Sequence, residues 1–265
     1  MRSSGAQAAD FIKILRPTLN AANMSHIIIN CCDTMGWSVM NQFLPAMSSV
    51  MSSVGTITGH SYTSTATSRL STSLKTWMTE AADNNGAWTS SWYSSGGAGE
   101  GMTWANNIYT AVTSANVSAY LYWIGAQDRP STTNSKMIRV VNKQVDPSKR
   151  LWAMANWSRF VRPGAVRVGA SGGSGVRTSA FVNVDGKIAV QVINSGSARD
   201  ISITVSGGGE FVPENATAWV TDNTRDCNEI GATVDASGKV SGNVPGRSMV
   251  TFVLKPRGVI LPIGR

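Results

Sequence analysis

The sequence predicts an α/β half followed by an all-β half, on three observations. Up to Pro163, short apolar runs alternate with helical stretches, strand then helix, four times over, which argues parallel βα units. From Gly164 onward the texture changes to short alternating strands separated by Gly, Asn, Ser and Asp turns, the pattern of an antiparallel β-sandwich. With 42% apolar and only 14% charged residues over 265 positions, the chain can bury cores of that size. The expected limits are therefore 1–163 for the α/β part, 164–255 for the sandwich and 256–265 for an atypical tail.

Taken in order, residues 5–23 carry Ala8, Phe11, Ile12, Leu15 and Leu19 at helical spacing, and Pro17 is expected to kink or end that helix. Residues 26–32 read as a buried strand, 41–53 as a helix, and 57–62 as a second strand tip ending in His60 and Tyr62. A Ser/Thr-rich stretch separates these from a third strand over 75–80. After a glycine-rich loop, 101–114 is helical and 117–124 is a fourth strand. An amphipathic helix over 147–161 closes the set, with Leu151, Met154, Ala155 and Phe160 facing inward. Beyond it, strands are expected at 176–184, 187–193, 200–205, 217–221 and 248–254. Asp185-Gly186 supplies the hairpin between the first two of these, because it takes the positive φ that a tight turn requires.

The formal charge is +8 and the isoelectric point near 9.7, which raises the question of a polyanionic partner. The basic residues are scattered rather than clustered, which argues against nucleic acid and suits an acidic polysaccharide. No 18-residue apolar run is present to span a membrane. The three cysteines form no CxxC pair, and Cys31 and Cys32 are adjacent while Cys227 is remote, so at most one intrachain bridge forms. N-x-S/T sequons at Asn23, Asn116, Asn156 and Asn215 hint at secretion and glycosylation, yet the amino terminus carries no signal-peptide pattern. Nothing in the sequence speaks to oligomeric state.

Metal and nucleophile-triad chemistry fail on inventory. His26 and His60 are the only histidines, and HExxH, GxSxG and a Walker-type loop are absent, so no metal or organic cofactor is expected. The α/β half contains just two glutamates, Glu80 and Glu100. Glu80 ends the third strand, and in a βα barrel the carboxyl ends of strands carry catalytic residues. His60 and Tyr62 finish the strand before it and Trp123 the strand after it, so three successive tips offer polar and aromatic groups to one face. Glu100 stands just before a helix, where a carboxylate is stabilised by the helix dipole, and reads as structural. Of nine tryptophans most are expected in cores, but Trp37, Trp88, Trp92 and Trp123 fall at strand ends or loops, where flat rings beside a carboxylate suit pyranose stacking.

At these residues the chain resembles glycoside hydrolase family 30, whose members are retaining enzymes with a (β/α)8 barrel fused to a β-sandwich. The resemblance is carried by Thr76-Trp-Met-Thr-Glu80, by residues 92–105, by Ala119-Tyr-Leu-Tyr-Trp123 and by residues 148–168, with weaker similarity at 31–37, at 59–62 and through the sandwich. It is similar in texture to fungal members that act on plant cell walls, the xylan-degrading branch above all. The resemblance implies a partial TIM barrel of strands five to eight followed by the sandwich, with Glu80 as nucleophile and Trp37, His60, Tyr62, Trp88 and Trp123 as substrate-binding residues. A retaining mechanism needs a second carboxyl about 5–5.5 Å away. The family keeps it in an Asn-Glu-Pro motif at the end of strand four, a motif this sequence lacks. By the same alignment the sequence starts in the fourth helix, with Met1 an internal methionine and the amino-terminal sandwich strand missing; the tail runs past the family's usual end.

The activity so implied is an endo-β-1,4-xylanase or glucuronoxylanase of a secreted protein, with a polysaccharide or oligosaccharide as partner and the chain as given nearly inactive. Endo-β-1,6-galactanase and glucosylceramidase-like activities share the barrel, since loops set specificity. A non-catalytic carbohydrate-binding remnant is the reading from a different class. Among Asp33, Asp83 and Asp128, only Asp33 is a credible substitute acid.

Overall fold

The computed structural model describes residues 3–128, 132–207 and 211–258. Within them the chain divides into two compact units, Met1–Asn84 with Asn107–Gly125, and Asn85–Asn106 with Ala126–Arg265.

The first unit is built on a parallel sheet. Helix α1 (Gly5–Ala21) opens with a capping box, in which Gln7 N–H donates to Ser4 Oγ at 3.3 Å and Ser4 N–H to Gln7 Oε1 at 2.9 Å. Strands β1 (Ile29–Thr34), β2 (Val54–His60) and β3 (Lys75–Glu80) follow, then residues 107–113 of helix α2 (Gly101–Thr113) and strand β4 (Ala119–Tyr120). They lie in the order β1-β2-β3-β4, all parallel, and no closed barrel forms among the described residues. The register pairs His60 with Glu80 across β2 and β3, with a bulge just before the pair. Gly59 lets the sheet approach Trp37, since a Cβ there would stand 3.3 Å from the indole.

Several expectations for this half need correction. Helix α1 runs through Pro17 rather than ending before it. Proline supplies no N–H to the Lys13 carbonyl, but Lys13 and Pro17 both lie on the solvent side, where water replaces that bond, and the Thr18 hydroxyl donates to the Ile14 carbonyl at 2.8 Å. The inward face of α1 is Gly5, Ala9 and Ile12, and Phe11 is exposed. Close approach sets that phase, because a Cβ on Gly5 would meet the Phe43 backbone at 2.7 Å. The 41–53 stretch holds only one α-turn, Met40–Phe43, followed by 3-10 helix over Leu44–Ser53. Strand β4 is shorter than expected because it lies at the sheet edge, although Leu121 and Trp123 N–H groups still donate to the Met78 and Ala81 carbonyls.

The second unit is dominated by the sandwich. Helix α3 (Lys149–Ser158) precedes strands β5 (Val166–Val168), β6 (Val176–Val182), β7 (Ile188–Asn194), β8 (Arg199–Ile203), β9 (Pro213–Thr221), β10 (Asp226–Ile230), β11 (Ala232–Val234), β12 (Val240–Val244) and β13 (Ser248–Pro256). One antiparallel sheet has the order β5-β6-β7-β13-β9-β10, and the other β8-β12-β11. Val190, Val220, Val240, Val250 and Phe252 fill the space between them. At the expected β6–β7 hairpin, Gly186 has φ +79° and its N–H donates to the Asn183 carbonyl. Strands β5, β10, β11 and β12 add to those predicted.

Strand β7 is buried along its whole length; α3 packs on this sheet, and Gln191 of β7 donates to the Asn156 backbone carbonyl of α3. The inward residues of α3 are Arg150, Ala153, Asn156 and Trp157, not the Leu151, Met154, Ala155 and Phe160 expected. Asn156 is 0% exposed, its Nδ2 donating to the Trp152 carbonyl at 3.0 Å and its own carbonyl accepting from Gln191 Nε2 at 2.7 Å. A glycan at Asn156 is therefore sterically excluded in the folded chain, whereas Asn23, Asn116 and Asn215 are exposed. Where six strands face three, an apolar cleft of about 1220 Å³ opens between β5–β6 and β8, lined by Val166, Val168, Val182, Ile201 and Phe211 among others. Residues 259–265 of the tail lie outside the described residues.

Candidate active site

Parallel strands bring their carboxyl-terminal residues to one edge, and register then decides which side chains meet. Glu80 ends β3 opposite His60 of β2, and His60 Nε2 stands 3.1 Å from Glu80 Oε2. Tyr62, just past the end of β2, donates its hydroxyl to Glu80 Oε1 at 2.9 Å. Both carboxylate oxygens are thus held, which fixes the plane of the group without burying it. Burial, together with the Glu80 carboxylate beside it, pushes the Tyr62 phenol well above its ordinary pKa, so it stays a donor across the working pH range. The His60 and Tyr62 rings meet edge to face at 5.8 Å.

Asp33 enters the same cluster from β1. It has φ +52°, and its Oδ1 accepts from the Thr79 hydroxyl at 2.6 Å while standing 3.7 Å from His60 Nε2. Trp123, 50% exposed, is tied beside Glu80 through its backbone N–H, which donates to the Ala81 carbonyl at 3.0 Å. The structure thus gathers Glu80, His60, Tyr62 and Trp123 at neighbouring strand ends. Thr79 was not predicted; the period-2 rule for strands gives no means of telling which of two adjacent tip residues turns toward the cluster.

Trp37 does not belong to the site. It is 1% exposed, with Nε1 donating to the Ser68 carbonyl at 2.8 Å, and so serves the core. Trp92 is likewise fully buried, its Nε1 donating to the Arg247 carbonyl at 2.7 Å. Trp88 lies in the second unit, where the guanidinium groups of Arg139 and Arg150 sit 4.7 and 4.8 Å from its ring centroid. Lys136 is buried in the same unit, and desolvation reinforced by Arg150 and Arg139 lowers its pKa.

Glu100 has the structural role its position suggests. It precedes α2, and its carboxylate accepts from the N–H groups of Ser94, Ser95 and Gly96 and from the Ser94 hydroxyl. Burial alone would raise its pKa, but these donors outweigh it and bring the value down to about 2. Cys31 and Cys32 are joined to each other and Cys227 is free and buried, its thiol pKa raised by burial. Among the described residues no group of three metal-ligating side chains occurs, and no helix is long and apolar enough to cross a membrane.

Comparison with known proteins bears on the family and the fold. Residues 164–252 match the glycosyl hydrolase family 30 β-sandwich domain. The chain superposes on the catalytic domain of GH30 xylanase C from Talaromyces cellulolyticus with a TM-score of 0.88 and 40% identity, covering 96% of this chain and 58% of that one. The chain belongs to glycoside hydrolase family 30. Glucuronoxylanase XynC of Bacillus subtilis strain 168 is 26% identical over 188 residues, covering 67% of this family 30 chain and 39% of the relative. The family 30 subfamily 8 xylanase Xyn30A from Clostridium acetobutylicum shares the fold, with a TM-score of 0.73 at 24% identity over 95% of this chain and 61% of that one. The chain spans about two fifths of the curated relative and about three fifths of each solved one.

Proposed function

We propose that this family 30 chain carries the nucleophile of a retaining hydrolase of plant cell-wall xylan, of the endo-β-1,4-xylanase or glucuronoxylanase type. The observation that carries the reading is Glu80, a strand-end carboxylate held on both oxygens by Tyr62 and His60, in a chain 40% identical to a xylanase catalytic domain over 96% of its length. Glu80 attacks the anomeric carbon, Tyr62 and His60 orient it, and Trp123 offers a face for the sugar ring. The cationic surround of Trp88 in the second unit, and the net charge of +8, suit a polymer bearing uronic acids. The sequons at Asn23, Asn116 and Asn215, all exposed, suit a secreted glycoprotein.

Protonation of the leaving oxygen needs a second carboxyl, and the Asp33 carboxylate stands 3.7 Å from His60 Nε2. It is already engaged by Thr79 and is not assigned that work. Losing general-acid help costs typically about 10²- to 10⁴-fold in rate. The 265-residue chain is therefore expected to hydrolyse xylan barely, yet to act on aryl β-xylobiosides whose phenols leave without protonation. Comparing dinitrophenyl and unsubstituted phenyl β-xylobiosides tests this: the first should release a burst of about one phenol per chain and then slow, because the absent carboxyl would also be the base of the deglycosylation step, and the second should release none. Equal turnover of both would mean that the chain supplies its own acid. Release of products from β-1,6-galactan rather than glucuronoxylan would replace the xylan reading by the galactanase one. The same shortage of a second carboxyl favours, as the alternative, a carbohydrate-binding remnant, for which neither glycoside turns over while oligosaccharide still binds.

A further inference from the structure

We propose that Asp33 is a substrate-binding residue, its carboxylate receiving a hydroxyl of the sugar unit that sits over Glu80. The inference rests on the glycosidase reading above and deepens it.

Three features of the chain place Asp33 for this. The register of β1 against β2 shifts between Cys31 and Thr34, and Asp33 takes a left-handed backbone conformation within that irregularity. A bulge re-aims the side chain it contains, and bulges of this kind recur next to active sites. The residue is then fixed from two neighbouring strands. Its N–H donates to Thr58 Oγ1 of β2 at 3.2 Å, and its Oδ1 accepts from Thr79 Oγ1 of β3 at 2.6 Å. A ligand hydroxyl would therefore meet a carboxylate that is already ordered, with little entropy left to lose.

The hydrogen-bond inventory supplies the third feature. A His60 Nε2 that donates has one proton to give, and the 3.1 Å contact to Glu80 is shorter than the 3.7 Å contact to Asp33. Asp33 is thus left with Thr79 as its close donor, and no described group donates to Oδ2. At 54% side-chain exposure the carboxylate keeps that oxygen available to an incoming group. Stability gives no comparable reason for an acid here, because a half-exposed ion pair with histidine at 3.7 Å contributes little. A sugar hydroxyl donating to a carboxylate is a charge-assisted hydrogen bond, and its loss corresponds to about a 10- to 100-fold change in affinity.

The test is a binding cycle on the 265-residue chain, with xylotetraose and its monodeoxy analogues titrated against the parent, Asp33→Asn and Asp33→Ala, and each variant's melting temperature recorded. Asp33→Asn keeps the size of the side chain and an acceptor for Thr79, so it serves if Asp33→Ala does not fold. The expected result is a parent that binds xylotetraose, variants about 10- to 100-fold weaker at similar melting temperature, and one deoxy position whose loss weakens the parent but not the variants. Unchanged affinity in Asp33→Asn and Asp33→Ala, or deoxy effects identical in parent and variants, would overturn the assignment and leave the xylan reading standing. A parent that binds no xylotetraose would overturn both.

Discussion

Replacing Glu100 with glutamine separates a structural carboxylate from the catalytic one. Glu100 is 3% exposed, and its two oxygens accept from three backbone N–H groups and a serine hydroxyl ahead of α2. Its pKa falls from 4.5 to about 2 in the folded chain. Each unit is worth about 1.4 kcal/mol of preference for the charged form, so the carboxylate contributes on the order of 3 kcal/mol at neutral pH. Glutamine keeps one acceptor oxygen and turns an NH₂ group toward the remaining donors. A folded-state pKa below the unfolded one means the stabilisation is complete above about pH 4.5 and is lost as pH falls through about 2. Urea unfolding of parent and Glu100→Gln should therefore differ by about 3 kcal/mol at pH 7, by roughly half as much at pH 3 and by little at pH 2. A difference under about 1 kcal/mol at pH 7, or one that does not shrink on acidification, would refute the assignment of the nest of N–H groups as the stabilising element.

Asn156→Ala should cost roughly 2–4 kcal/mol, because it removes the buried side-chain bonds to Thr221 and Thr251, while Gln191 keeps the Asn156 backbone carbonyl; peptide mapping of protein from a glycosylating host should find Asn156 unmodified. Trp37→Ala should cost about 3–5 kcal/mol while Trp37→Phe leaves xylo-oligosaccharide affinity unchanged, whereas Trp123→Ala should leave the melting temperature nearly untouched and weaken that affinity. Val166→Thr, on the cleft wall at 55% exposure, should shift stability by under about 0.5 kcal/mol, although its strand belongs to the six-stranded sheet; a loss above about 1.5 kcal/mol would mean that the cleft is closed in solution.

Much of this was legible in the sequence because periodicity and strand ends carry it. Strand β3 ends at Glu80 as its Lys-Thr-Trp-Met-Thr-Glu pattern indicates, and the convergence of His60 and Tyr62 follows from parallel βα order. The phase of the helices was not legible. Phe11 is the larger hydrophobe in α1, yet Gly5 and Ala9 face inward, and at Gly5 the Phe43 backbone approaches too closely for any side chain. In α3 the buried face is polar at Arg150 and Asn156, since the terminal guanidinium nitrogens of Arg150 donate to the Thr89 and Lys136 carbonyls and the Asn156 amide to the Trp152 carbonyl, and hydrophobic spacing cannot report that. Trp37 reads as a site residue from its loop position, but only the packing of the Gly59 backbone beneath its ring shows it to be core. The reach of Asp33 depends on a bulge and a left-handed residue, neither of which alternation encodes.

The central claim is that Glu80 is the nucleophile, and covalent trapping tests it most directly. A dinitrophenyl 2-deoxy-2-fluoro-β-xylobioside carries a leaving group that needs no protonation, so it reacts with a nucleophile even where the acid is absent, and its fluorine slows hydrolysis of the glycosyl-enzyme. Intact mass and peptide mapping after incubation with the chain should show one fluoroxylobiosyl ester, on Glu80, and none in Glu80→Gln. An ester on Asp33 or Glu100, or no ester on a chain that binds xylotetraose, would contradict the account.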